Sequence, residues 1–211
     1  MSRFGGRSSY ALLEIILLYL IIQLYVWRWQ FSHRELAWPL ILGLFAIHIL
    51  HRETMQNLGF RFDNFLPALQ LCSLVSIPFL LLLGMIGVTS GQLWSPSIHH
   101  SVFLPALRYV LWAIFQQYGL QGVFHRRLRK LTANPWLSSV LSAVLFMSLH
   151  VPNPILMVFT FSGGFVLSWV YTRQPNIFAL GIFHGLLGLL LSNCFPRELL
   201  HNMRVGPGYF R

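Results

Sequence analysis

"WAIFQQYGLQGVFHRRLRK", residues 112–130, places an apolar helix bearing three glutamines directly before a burst of positive charge. Gln116, Gln117 and Gln121 stand among Ile, Phe, Leu and Val, and Arg126, Arg127, Arg129 and Lys130 follow. A carboxamide is costly in hydrocarbon unless it finds a hydrogen-bond partner. It has no usable basicity either, so it cannot act as a base. The stretch therefore fits a membrane helix whose polar face turns toward other helices. Gln117 and Gln121 are four apart and stack on one face, with Gln116 rotated about 100° from Gln117.

Composition supports a membrane setting. Of 211 residues, 55% are apolar, 15% aromatic and only 9% charged. A soluble domain carries about 25% charged residues, so this chain lacks the polar surface to cover itself. Several apolar runs approach the roughly 20 residues needed to cross the hydrocarbon core. The expected fold is all-α, a polytopic transmembrane helix bundle of about seven spans.

The first span follows two arginines and runs on to Trp27 without a small-residue cleavage site, so it reads as retained. The second, "LAWPLILGLFAIHIL" from Leu36, is shorter and holds Pro39 and His48. It is tilted, partly re-entrant, or a span among protein neighbours. The remaining spans are expected near 66–88, 102–124, 136–149, 154–172 and 175–194. "TSGQLWSPSIHH", residues 89–100, is a loop without Lys or Arg, and the prolines of "HVPNP" force a tight turn after the fifth span. Residues 1–52 form N-terminal membrane helices, 53–193 the main domain and 194–211 an interfacial tail.

The formal charge of +10 is scattered among short loops, unlike the dense basic face of a nucleic-acid binder. It fits contact with lipid phosphate and the orientation rule. With a cytoplasmic N-terminus, that side collects nine basic residues: Arg3, Arg7, Arg52, Arg61, Arg126, Arg127, Arg129, Lys130 and Arg173. The other side collects five: Arg28, Arg34, Arg197, Arg204 and Arg211. The excess favours that orientation. Cys72 and Cys194 have no CxxC or Cys/His spacing and read as buried small hydrophobes.

Two histidines join the glutamines as polar groups in apolar segments: His150 in "FMSLH" and His184 in "IFHGLLG". Taken singly, each fits ordinary hydrogen bonding between membrane helices, worth about 0.6–2 kcal/mol. Taken in order, they resemble the CAAX-processing and bacteriocin-processing (CPBP, or Abi) intramembrane proteases. That family carries EExxxR, then FxxxH, then HxxxN or HxxxD. Here "QQYGLQ" (116–121) stands for the first, "FMSLH" (146–150) matches the second, and "HGLLG" (184–188) keeps the histidine of the third. The resemblance spans roughly residues 53–193.

The resemblance implies a peptidase whose polar site is sunk in the membrane, with a motif glutamate as base for water and the histidines holding a metal or a polarised water. By position, Gln116 and Gln117 replace the glutamates, Gln121 the arginine, and Gly188 leaves the Asn or Asp role empty. General-base catalysis is worth about 10²–10⁴ in rate, and an amide cannot supply it. Catalytic zinc usually takes three protein ligands. His150 and His184 are two, so no cofactor is expected, with weak zinc binding the alternative. Both signs of charge have left together, which avoids stranding a lone arginine in the membrane.

Only Glu14, Glu35, Glu53, Asp63 and Glu198 could supply another carboxylate, and Glu14 alone lies in an apolar span. A neutral histidine, His150 or His184, is a competent base at pH 7. The expected partners are membrane lipid and a peptide near the membrane, not nucleic acid. Two readings stand side by side: an atypical intramembrane endopeptidase, and a non-catalytic relative that binds peptide or assists assembly. A small transporter subunit is a third, though no repeat symmetry or broken-helix pair supports it. Asn153 is a possible extra polar group, with the "PNP" turn as its other role.

Overall fold

The computed structural model describes residues 3–92 and 103–211, with backbone alone for 3–9 and 103. The regular elements in them are helical. α1 (Arg3–Leu24) continues through a π-helical turn (Tyr25–Trp29), followed by α2 (Ala37–Leu50) and α3 (Phe65–Thr89). α4 (Phe103–Gln117) runs into a π-helical segment, Tyr118–His125, and then α5 (Arg126–Leu131). α6 (Pro135–Ser148), α7 (Pro154–Arg173) and α8 (Ile177–Cys194) complete the bundle. The tail holds α9 (Arg197–Leu200) and two short 3-10 turns. Beyond residue 92, the expected loop at 89–100 lies outside the described residues, as does the first residue of the expected fourth span.

Among the described residues, four helices are long and apolar enough to cross a membrane: Tyr10–Trp29, Phe65–Thr89, Pro154–Arg173 and Ile177–Cys194. The other expected spans are also helical, but α2 and α6 have 14 residues each. That is about 21 Å of rise against about 30 Å of hydrocarbon. Leu12, Leu13 and Leu20 on α1, and Leu74, Leu81 and Met85 on α3, point outward. Lipid is as apolar as leucine, so such faces cost nothing in a bilayer.

Asparagine–proline chemistry starts the later helices. Asn134 accepts from the amides of Trp136 and Leu137, with Pro135 in the first turn of α6. Asn153 accepts from Leu156 N ahead of α7, and Asn176 from Ala179 N ahead of α8. Each such cap contributes about 1 kcal/mol. Asn153 is fully buried and also donates from Nδ2 to the carbonyls of Leu200 (2.9 Å) and Arg204 (3.3 Å). It thus performs the turn-forming role and ties down the tail as well.

Packing pairs α6 with α7, and sets both α4 and α3 against α8. The α4–α8 seam is close because α8 presents glycines to it. A Cβ added at Gly181 would lie 2.6 Å from Ile114 Cα, and one at Gly185 would lie 3.0 Å from Val110 Cα. Small residues let membrane helices approach to this degree. The seam brings the glutamine face of α4 against the histidine of α8.

Candidate functional site

Gln117 and Gln121 are both fully buried. They lie where the α-helical winding of α4 gives way to π-helical winding, an arrangement frequent at functional sites. Gln121 Nε2 donates to Gln117 Oε1 (3.1 Å) and to Ser168 Oγ on α7 (3.1 Å). Gln117 Nε2 in turn lies 3.1 Å from His184 Nδ1 on α8. The amides thus form a neutral relay from α7 through α4 to α8. Gln121 Oε1 is buried with no hydrogen-bond partner among the described residues.

This relay fixes a protonation pattern. An amide nitrogen only donates, so His184 Nδ1 accepts and its ring proton sits on Nε2. His150 shows the reverse. Its Nδ1 lies 2.7 Å from the Phe146 carbonyl, which can only accept, so Nδ1 carries the proton and Nε2 keeps a lone pair. The Phe146 ring meets both imidazoles edge-on, with centroids 4.8 Å from His150 and 5.6 Å from His184. The Phe146 ring of "FMSLH" therefore spaces the two histidines.

Gln116, Gln117, His150 and His184 line one cavity of about 250 Å³. A neighbouring cavity of about 260 Å³ shares Gln116, His150, Trp112, Phe146 and Val205 as a common wall. Gln116, rotated away from the relay, faces both. Among the described residues, neither lining includes a charged one. The structure thus brings the five sequence-derived positions to one region, with Gln121 one turn behind the cavity wall.

Other lining groups come from outside the motifs. Tyr109 lies two helical turns before Gln117 on the same face of α4, and Met203 and Val205 come from the tail. Spacing along α4 (109, 113, 117) could have indicated Tyr109. The tail residues carry no sequence signal. Tyr109 fills the space beside Gly188: a Cβ there would collide with the tyrosine hydroxyl and lie 2.7 Å from its Cε1.

The carboxylates are engaged elsewhere. Glu14 meets Arg127 Nε at 2.5 Å and His51 Nε2 at 2.6 Å, and Arg127 is 1% exposed. Glu53 binds His48 Nδ1 (2.5 Å) and Arg126 Nη2 (3.1 Å), with Lys130 Nζ at 3.6 Å. Burial pushes the Glu53 carboxyl up, but its hydrogen bonds to His48 and Arg126 and the nearby cations outweigh this and hold its pKa at about 2. None of the five carboxylates lines either cavity. Glu14 therefore does not reach the glutamines.

A catalytic zinc fits these donors poorly. Two imidazoles remain once amides are set aside, and among the described residues no group of three His, Cys, Asp or Glu is placed to hold a metal. His184 already spends Nδ1 on Gln117 and His150 spends Nδ1 on Phe146, so one nitrogen is left on each ring.

Fold and site together define a polytopic helical membrane protein with a polar chamber inside its bundle. Residues 101–190, which contain all three motif stretches, match the family model for Type II CAAX prenyl endopeptidase Rce1-like proteins, in line with the resemblance that those motifs carry. No curated protein and no solved structure matches the chain.

Proposed function

We propose that this chain binds a peptide near the membrane in its uncharged chamber and has lost most of the hydrolytic power of CAAX-type proteases. The hydrogen bond between Gln117 and His184 carries this reading. It makes His184 Nε2 a donor, while His150 Nε2 remains an acceptor. A peptide group presents the complement, a carbonyl that accepts and an N–H that donates. The absence of a carboxylate from the lining removes the usual base, at about 10²–10⁴ in rate.

A slower hydrolytic reading has one observation in its favour. His150 Nε2 keeps its lone pair and could take a proton from water, while the His184 Nε2–H stabilises the developing oxyanion. Under either reading the N-terminus is cytoplasmic, lipid surrounds the bundle and no metal is required.

The chain in lipid nanodiscs, titrated with a fluorescent prenylated CAAX peptide, tests the proposal. Saturable binding that is lost in His184→Ala, with little cleavage, is expected. Rapid cleavage by the wild type would sink the non-hydrolytic reading, and absence of binding would sink the peptide site itself.

A further inference from the structure

We infer that the Tyr109 hydroxyl is a ligand-contacting group of the chamber and stands in for the side chain missing at Gly188. This deepens, and rests on, the peptide-site reading above. In the motif pattern, position 188 follows His184 by one helical turn and carries a carboxamide or carboxylate. Here it is glycine, and the space is not left empty. The Tyr109 ring enters from α4 across the glycine seam.

The geometry makes the two residues interdependent. A Cβ at 188 would overlap the Tyr109 hydroxyl and lie 2.7 Å from Cε1 and 2.8 Å from Cζ. Contacts under about 3 Å cannot persist in a packed core without displacement. The tyrosine can occupy this position only because residue 188 is glycine. Gly185, with Val110 against it, holds the same seam closed one turn away.

Tyr109 also lies on the ligand side. It lines the cavity together with Gln117, His150 and His184. The surrounding wall is largely leucine, phenylalanine and glycine, so few hydroxyls or amides are available to a ligand. A phenol can donate one hydrogen bond and accept others, and it is neutral at physiological pH. An Asn at 188 would offer a carboxamide from α8, and Tyr109 offers a hydroxyl from α4 at the same place. The chamber thereby keeps a hydrogen-bonding group one turn from His184, again without charge.

Three variants in nanodiscs test this against the prenylated CAAX peptide, with thermal melting and the His184 ring ¹⁵N signals followed in parallel. Tyr109→Phe keeps the ring on Gly188 and removes only the hydroxyl. It should weaken peptide binding roughly 2- to 12-fold, the range for one neutral hydrogen bond, with melting and His184 signals unchanged. Tyr109→Ala opens the space, and Tyr109→Ala with Gly188→Asn refills it from α8. The double variant should bind the peptide more tightly than Tyr109→Ala alone. Unchanged binding by Tyr109→Phe overturns the proposal. A binding loss accompanied by lower melting or altered His184 signals also overturns it, because it assigns the hydroxyl to packing. A double variant no better than Tyr109→Ala does the same. A wild type that binds no peptide removes the peptide-site reading and this role with it, an outcome distinct from the other three.

Discussion

Gln117 donates to His184 across the α4–α8 interface at 3.1 Å, and this single contact gives His184 the tautomer opposite to that of His150. An ionised glutamate at 117 could not do so. A carboxylate only accepts, so His184 would have to present its proton at Nδ1 and expose a lone pair at Nε2. Replacing acid with amide therefore does more than remove a base. It reverses what the facing histidine offers to the chamber.

Histidine ring ¹⁵N spectra, with the His150 and His184 signals assigned among the nine histidines, should accordingly show His150 protonated at Nδ1 and His184 at Nε2. Gln117→Glu should move His184 to the Nδ1–H form once pH is high enough to ionise the new carboxyl, and leave His150 unchanged. His150 and His184 in the same tautomer would contradict the relay.

Restoring acids without a cation should fail. Gln116→Glu with Gln117→Glu places two carboxylates in a wall that holds no positive charge, and at least one must stay protonated. Adding Gln121→Arg supplies a cation one turn from residue 117, where the Gln121 amide now meets Gln117 Oε1. The triple variant should express better than the double and be the first to cleave a prenylated CAAX peptide. Equal behaviour of double and triple variants would show that charge balance does not govern this site.

The Glu53 cluster gives a pH signature. Its carboxyl is depressed from 4.5 to about 2 in the folded chain, so its contribution to stability is complete above about pH 4.5. That contribution should fade as pH drops from about 4.5 toward 2. Glu53→Gln should melt at a lower temperature than wild type at neutral pH, with the difference shrinking across this window. A gap that stays constant down to pH 2 would remove Glu53 from the account.

The α4–α8 seam should tolerate no added methyl at its tightest point. A Cβ at Gly181 meets Ile114 backbone, which no rotamer change can move aside. Gly181→Ala should cost about 1–3 kcal/mol and lower the melting temperature in detergent. Gly163→Ala, where a Cβ would meet nothing within 4 Å, is the control and should leave it unchanged.

Zinc should bind weakly. Metal analysis of purified protein should find well under one zinc per chain at neutral pH, because two imidazoles with one free nitrogen each make an incomplete ligand set. One tightly held zinc, lost in His150→Ala, would reverse this conclusion.

The helical spans were legible because hydrophobic length is a local property of the sequence, and the three motifs because they are short and ordered. The i, i+4 stacking of Gln117 and Gln121 followed from helix geometry alone. Long-range pairings were not legible. Glu14, read from the sequence as the one acid within an apolar span, reaches Arg127, 113 positions away. His48 and Glu53 are only five apart, but their pairing depends on how the chain turns after α2. Gly188 looked like a loss until the residue filling its space could be seen on another helix. Such complementarity between side chains appears only once the helices have been assembled.

The chamber also has a place in time. Its wall begins with Phe79 on α3 and is completed by Met203 and Val205, held by Asn153 through the Leu200 and Arg204 carbonyls. Contacts between such distant parts of a chain form late, after the loops between them have closed. A membrane chain that enters helix by helix must therefore carry Gln117 and Gln121 through the bilayer before Ser168 and His184 arrive to meet them. Two amides can wait in that environment for their partners. A pair of carboxylates and an arginine would need one another, or a helper, from the moment of insertion.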